Sequence, residues 1–156
     1  MPPWSARGYL ARGRFDVADI LIVEDNEAMA RIYAEALEYH GHKVRVAADE
    51  PNLHEELARG LPDLLLLDIE LPGMDGLEIL RQLRQEPETK DLLVAVLSNY
   101  TDRKTVHRAL RLDALEFVEK ASITPSQLAE QVARWLDRSR RSRAGSPRTT
   151  AAPPQR

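Results

Sequence analysis

A chain of 156 residues, 43% hydrophobic and 30% charged, has the size and balance of one soluble domain that buries its core without staples. It contains no cysteine, which excludes disulfide scaffolds, thiol chemistry and cysteine-bound zinc, and no apolar run approaches the roughly 20 residues of a spanning helix. The net charge of −3 hides an asymmetry: residues 1–15 hold three Arg, residues 138–156 hold six, and neither stretch has an acid, so the middle sets 13 basic residues against all 25 acids, a net of −12. An acidic body of this kind suits metal ions and cationic partners better than nucleic acid.

Residues 1–17 lack the long apolar stretch of a secretory signal and are expected to form a disordered leader. The run ADILIVED then reads as a buried strand ending in acids. NEAMARIYAEALEYHG follows as a helix with Met29, Ile32, Tyr33, Ala36, Leu37 and Tyr39/His40 at helical spacing, and Gly41 sits where a cap belongs. KVRVAA alternates as a second strand, and PNLHEELARG is a short helix with Pro51 in its first turn and Gly60 as its stop.

PDLLLLD, the third strand, is continuously apolar, as expected where both faces of a sheet are covered. GLEILRQLRQE reads as a helix opened by Gly76, DLLVAVLSN as a fourth strand, YTDRKTVHRALRL as a helix and ALEFVEK as a fifth strand. In SITPSQLAEQVARWLDR, Thr124, Pro125 and Gln127 spell a capping box with proline at the first helical position, and Leu128, Val132, Trp135 and Leu136 make an inward stripe. The remaining tail, 138–156, is rich in Arg, Ser, Pro and Ala and is expected to be disordered.

Strands and helices therefore alternate five times between residues 18 and 137. That pattern predicts an α/β domain, a doubly wound five-stranded parallel sheet with helices on both faces. In such sheets ligands bind beyond the carboxyl ends of the strands. Strand one ends in Glu24 and Asp25, strand three in Asp68, strand four in Ser98 and Asn99, strand five in Lys120. Singly, an Asp at a strand end is more often a turn or cap residue, and a Lys after a strand a solvated charge. Their joint placement at separate strand ends points to one site. Clustered carboxylates without His or Cys favour a hard cation, Mg²⁺ or Mn²⁺. A carboxylate can also be a nucleophile that forms an aspartyl-phosphate, which makes Asp68 the expected phospho-acceptor. His40, His42, His54 and His107 show no ligand spacing and are expected to be surface or partly buried structural residues.

The chain resembles the receiver domain of two-component response regulators. The likeness rests on "VEDN", "LLLLDIELPGMDG", "LSN" and "FVEK", spaced 30 residues from Asp68 to Ser98 and 22 from Ser98 to Lys120, and it covers about residues 18–137. It implies a flavodoxin-like (βα)5 fold with strand order 2-1-3-4-5. It implies that Glu24 (through water), Asp25, Asp68 and the backbone carbonyl of Glu70 hold the metal. Asp68 would take a phosphoryl group from the phosphohistidine of a sensor histidine kinase or phosphotransfer protein, while Ser98 and Lys120 contact its oxygens. Phe117 would be the switch aromatic, and a downstream protein would dock on the face formed by helix four, strand five and helix five, about residues 100–137. The implied location is cytoplasmic, without membrane attachment.

The sequence departs from that family at three points. Ala121 stands where the family has a proline in a cis peptide, Asn99 where a small residue is usual, and Asp113 where Gly is frequent. The side chains of Glu70 and Tyr100 flank the site and in this family influence how long the phosphate lasts. Beside a stand-alone receiver or a relay intermediate without output, two other functions fit parts of the chain. An aspartate-nucleophile phosphohydrolase would use Glu70 as a second acid. A nucleic-acid binder would work through the Arg tail, with salt-sensitive affinity.

Overall fold

Four consecutive leucines can be buried only where both faces of a strand are covered, and the strand they form lies at the centre of the sheet. The computed structural model describes residues 17–145. In chain order the elements are β1 (Asp19–Val23), α1 (Glu27–Tyr39), β2 (Lys43–Ala47), α2 (Glu50–Arg59), β3 (Leu64–Asp68), α3 (Gly76–Gln85), β4 (Val94–Ser98), α4 (Arg103–Arg111), β5 (Glu116–Glu119) and α5 (Pro125–Gly145). The five strands are parallel in the order β2-β1-β3-β4-β5. This is the doubly wound architecture expected from the sequence.

Alternate residues of β3 face different cores. Leu65 and Leu67 pack with Leu53 of α2, Leu77, Leu80 and Leu83 of α3, and Ala109 of α4. Leu64 and Leu66 pack with Tyr33 and Leu37 of α1 and with Leu128, Val132 and Trp135 of α5. Each buried leucine contributes about 1.5–3 kcal/mol against an exposed one. The central strands thus hold their carboxyl ends on a well-packed support.

Helix entries follow local chemistry. Asn26, Asp49, Asp75 and Asp102 each accept a hydrogen bond from a first-turn backbone N–H of α1, α2, α3 and α4. At α5 the capping box forms reciprocally: Thr124 N–H donates to Gln127 Oε1 at 2.9 Å and Gln127 N–H to Thr124 Oγ1 at 3.0 Å. Two arginines act as clasps. Arg45 joins β2 to Asp19, to the Glu56 carboxylate and carbonyl, and to the Gly60 carbonyl. Arg84 donates to five carbonyls, those of Thr89, Lys90, Leu92, Leu112 and Asp113.

The Pro-Gly-Met-Asp-Gly segment forms a small antiparallel hairpin, Glu70–Leu71 against Met74–Asp75, turned at Gly73 with φ 72°. Gly76 is required for a different reason. A Cβ there would lie 2.4 Å from the Ile69 Cα, so helix α3 can start this close to the end of β3 only with glycine. Asp113 adopts φ 59°, the left-handed conformation that explains the frequent glycine of the resembled family; Asp tolerates it better than most residues.

Three expectations need correction. Helix α5 does not end near 137 but runs to Gly145, so residues 138–145 are helical rather than disordered. Once the Leu128–Leu136 stripe anchors the helix, extension costs little, because arginine is a good helix former. Arg141 pairs with Asp137 at 3.1 Å, and Arg140 reaches the Val17 carbonyl at 3.3 Å. In α1, Ile32 and Tyr39 are exposed, at 43% and 81%, because the buried stripe is the narrower Ala30, Tyr33, Leu37. His42 is buried, its Nδ1 accepting the Ala18 N–H at 3.1 Å. The expected leader up to residue 16 and the tail from 146 lie outside the described residues.

Two substitutions test this packing. Trp135→Ala, which empties a fully buried position, should cost about 3–5 kcal/mol. Gly76→Ala should cost about 1–3 kcal/mol by overpacking. Both are read from urea midpoints, and a Gly76→Ala protein as stable as wild type would contradict the close approach to Ile69.

Candidate functional site

Three strand ends bring charges together. Glu24 directly follows β1, Asp68 is the last residue of β3, and Lys120 follows β5. The Lys120 ammonium lies 3.0 Å from Glu24 Oε1 and 3.2 Å from Asp68 Oδ2, with both acids almost fully buried at 3% and 2% exposure. The exposed Asp25 completes a set of three carboxylates whose nearest oxygens all lie within 4.8 Å of one another. Oxygen donors at this spacing, one of them open to solvent, fit a hard divalent cation.

The backbone fixes the acids. Glu24 Oε2 accepts the Asn26 N–H at 3.1 Å, and Asp68 Oδ1 accepts the Glu70 N–H at 2.8 Å. Burial raises the Glu24 pKa above the ordinary carboxyl range, and the neighbouring Asp68 adds to this against the Lys120 hydrogen bond. For Lys120, burial opposes the charge, but the Glu24 hydrogen bond and the two carboxylates outweigh it and hold its pKa above the ordinary lysine value. Tyr33, noted in the sequence only for its helical spacing, borders this field; burial pushes its phenol upward. Lys120 itself opens a 3₁₀ turn, Lys120–Ser122, with every described peptide bond trans. That turn stands where the resembled family has its proline.

Ser98 is brought to the adjacent strand end, since Leu97 of β4 pairs with Asp68. Its hydroxyl is not turned to Asp68 or Lys120. It donates to Glu70 Oε2 at 2.6 Å. The same carboxylate oxygen accepts the N–H groups of Asn99 and Tyr100. Partial burial opposes the Glu70 charge, yet these donors outweigh it and lower its pKa. Phe117 is half-buried on β5 and packs against the core on the α2–α3–α4 face. The sequence placed the Glu70 side chain beside the site, but nothing in it signalled that its carboxylate would gather Ser98, Asn99 and Tyr100.

A parallel sheet in this order, with carboxylates and an ammonium at its carboxyl edge, defines a receiver-like α/β domain. The family model of the response regulator receiver domain matches residues 20–133, and the chain belongs to that family. It is 36% identical over 110 residues to the phosphate regulon transcriptional regulatory protein PhoB of Rhizobium meliloti, covering 70% of this chain and 48% of that protein. The chain spans about half or less of the length of the first curated relatives it matches. Among solved structures it is similar to a CheY-like response regulator receiver domain protein of Methanospirillum hungatei, with TM-score 0.73 and 25% identity over 81% of this chain and 98% of that one. It is also similar to the Mn²⁺-bound form of response regulator Rcp1, with TM-score 0.61 and 28% identity over 66% and 81% of the two chains. Among the described residues, no helix is long and apolar enough to cross a membrane.

Removing the ammonium should expose the cost of the buried acids. Lys120→Met is expected to lose about 3 kcal/mol at pH 8. Glu24, already raised by burial, then loses the Lys120 hydrogen bond that opposes the rise, so it titrates higher in the folded state than in the unfolded one and the deficit should shrink toward pH 5. Chemical denaturation at the two pH values measures it; wild-type stability at both would mean that Lys120 is only a solvated charge.

Proposed function

We propose that this receiver domain accepts a phosphoryl group on Asp68 and signals through the resulting rearrangement. The observation that carries the proposal is the bridge from Lys120 to Glu24 and Asp68, with an Asp25 oxygen within 4.8 Å of both acids. Asp25, Asp68, Glu24 through water, and the Glu70 backbone carbonyl would hold Mg²⁺ or Mn²⁺, which neutralises the donor's phosphoryl oxygens when bound. The Mn²⁺-bound form of the similar response regulator Rcp1 supports a divalent cation as the ligand.

In the transfer, an Asp68 carboxylate oxygen attacks the phosphorus of a phosphohistidine. The new P–O bond forms as the P–N bond breaks, and the electron pair leaves with the imidazole nitrogen. The donor is a sensor histidine kinase or phosphotransfer protein, and the setting is cytoplasmic. Lys120 and Ser98 then contact the phosphoryl oxygens, which amounts to positioning and charge neutralisation. Repacking of Phe117, coupled to Ser98, carries the change to the α4–β5–α5 face, where a downstream protein docks. A dianion biases such a two-state packing readily. Against the phosphohydrolase alternative, the Glu70 carboxylate is held by three donors of the β4–α4 segment instead of being free to act as a second acid.

Intact-mass measurement after incubation with acetyl phosphate tests the proposal. One added phosphate is expected in wild type with Mg²⁺, and none without Mg²⁺ or in Asp68→Asn. No adduct in folded wild type, or sustained turnover of an aryl phosphate, would overturn it.

A further inference from the structure

We propose that Glu70 is a resting latch: its carboxylate occupies the donors of Ser98, Asn99 and Tyr100, and a phosphoryl group on Asp68 must take Ser98 from it. This rests on the phospho-acceptor reading of Asp68 and adds the group that phosphorylation displaces.

The hydrogen-bond inventory forces the competition. Ser98 is fully buried and carries one hydroxyl proton, whose nearest acceptor is Glu70 Oε2 at 2.6 Å, with the Tyr100 carbonyl more distant at 3.3 Å. It cannot also serve a phosphoryl oxygen. The Asn99 N–H, too, is spent on Oε2, while the Tyr100 N–H is shared between Oε2 at 3.1 Å and Ser98 Oγ at 2.8 Å. The charged acceptor makes these bonds stronger than neutral ones. The segment it holds is otherwise open to solvent, with Asn99 exposed and Tyr100 64% exposed. The latch is also coupled to the acceptor through a single residue, because the Glu70 backbone N–H binds Asp68 Oδ1.

Glu70 therefore acts as a positioning residue. It presents an internal anion to donors suited to a phosphoryl oxygen and stabilises the unphosphorylated arrangement. Phosphorylation exchanges one anion for another at Ser98, and the energy of the resting bonds is subtracted from that of the new ones.

The test uses beryllofluoride, a non-transferable phosphoryl mimic, with Mg²⁺ and the full chain. Calorimetry compares wild type, Glu70→Ala, Ser98→Ala and the double variant, alongside amide hydrogen exchange without ligand. Glu70→Ala is expected to bind beryllofluoride roughly tenfold more tightly than wild type, the size expected for hydrogen bonds to a charged group. Most of that gain should vanish in the Ser98→Ala background. Exchange at the Asn99 and Tyr100 amides should accelerate in Glu70→Ala, a change that simple charge repulsion does not produce. An equal gain with and without Ser98 would assign the effect to charge alone and overturn the latch, as would unchanged exchange at the two amides. If wild type and Glu70→Ala both fail to bind beryllofluoride, the phospho-acceptor reading falls and the latch with it. If wild type binds but Glu70→Ala binds no tighter, only the latch falls.

Discussion

The arrangement depends on one ammonium between two buried carboxylates. Lys120 touches Glu24 and Asp68, and so ties the end of β5, an edge strand, to the ends of β1 and β3 at the sheet centre. Without a cation there, two acids at this depth would repel each other and resist ionisation. The sheet below exists to hold that meeting point. Its three central strands are buried on both faces, which holds the ends of β1, β3 and β4 in register, and a close helix start at Gly76 limits the space beside Asp68.

The site reads as two anionic centres sharing one backbone residue. One is the Glu24–Asp25–Asp68 cluster; the other is the Glu70 carboxylate, with its nest of donors from β4 and the following segment. The Glu70 main chain serves the first and its side chain the second. The two centres are thus joined by one hydrogen bond, from the Glu70 N–H to Asp68 Oδ1, and one side chain.

Much of this was legible in the sequence because it is written in short-range chemistry. The Leu64–Leu67 run announces a strand covered on both faces, Thr124–Gln127 a capping box, and the acids and lysine at strand ends a shared edge. The resemblance to receivers supplied the strand order, which alternation alone does not fix. What stayed hidden depends on three-dimensional placement. Which way Ser98 and Glu70 point is decided between β4 and the hairpin, 28 residues apart. The extension of α5 beyond 137 was obscured by composition: an arginine run reads as solvated coil unless the apolar stripe that anchors it is taken into account. Ile32 and Tyr39 match helical spacing, yet the packed stripe is too narrow to include them. Asp113 is a residue whose backbone conformation, not its charge, explains the glycine preference at that position.

The five carbonyls gathered by Arg84 have a mechanical consequence. They belong to the segments that lead into β4 and β5, so one guanidinium pins the amino ends of both strands to the last turn of α3. Arg84 is therefore the keystone of the end of the sheet opposite the acidic cluster, where a single side chain closes the base of two neighbouring strands against one helix.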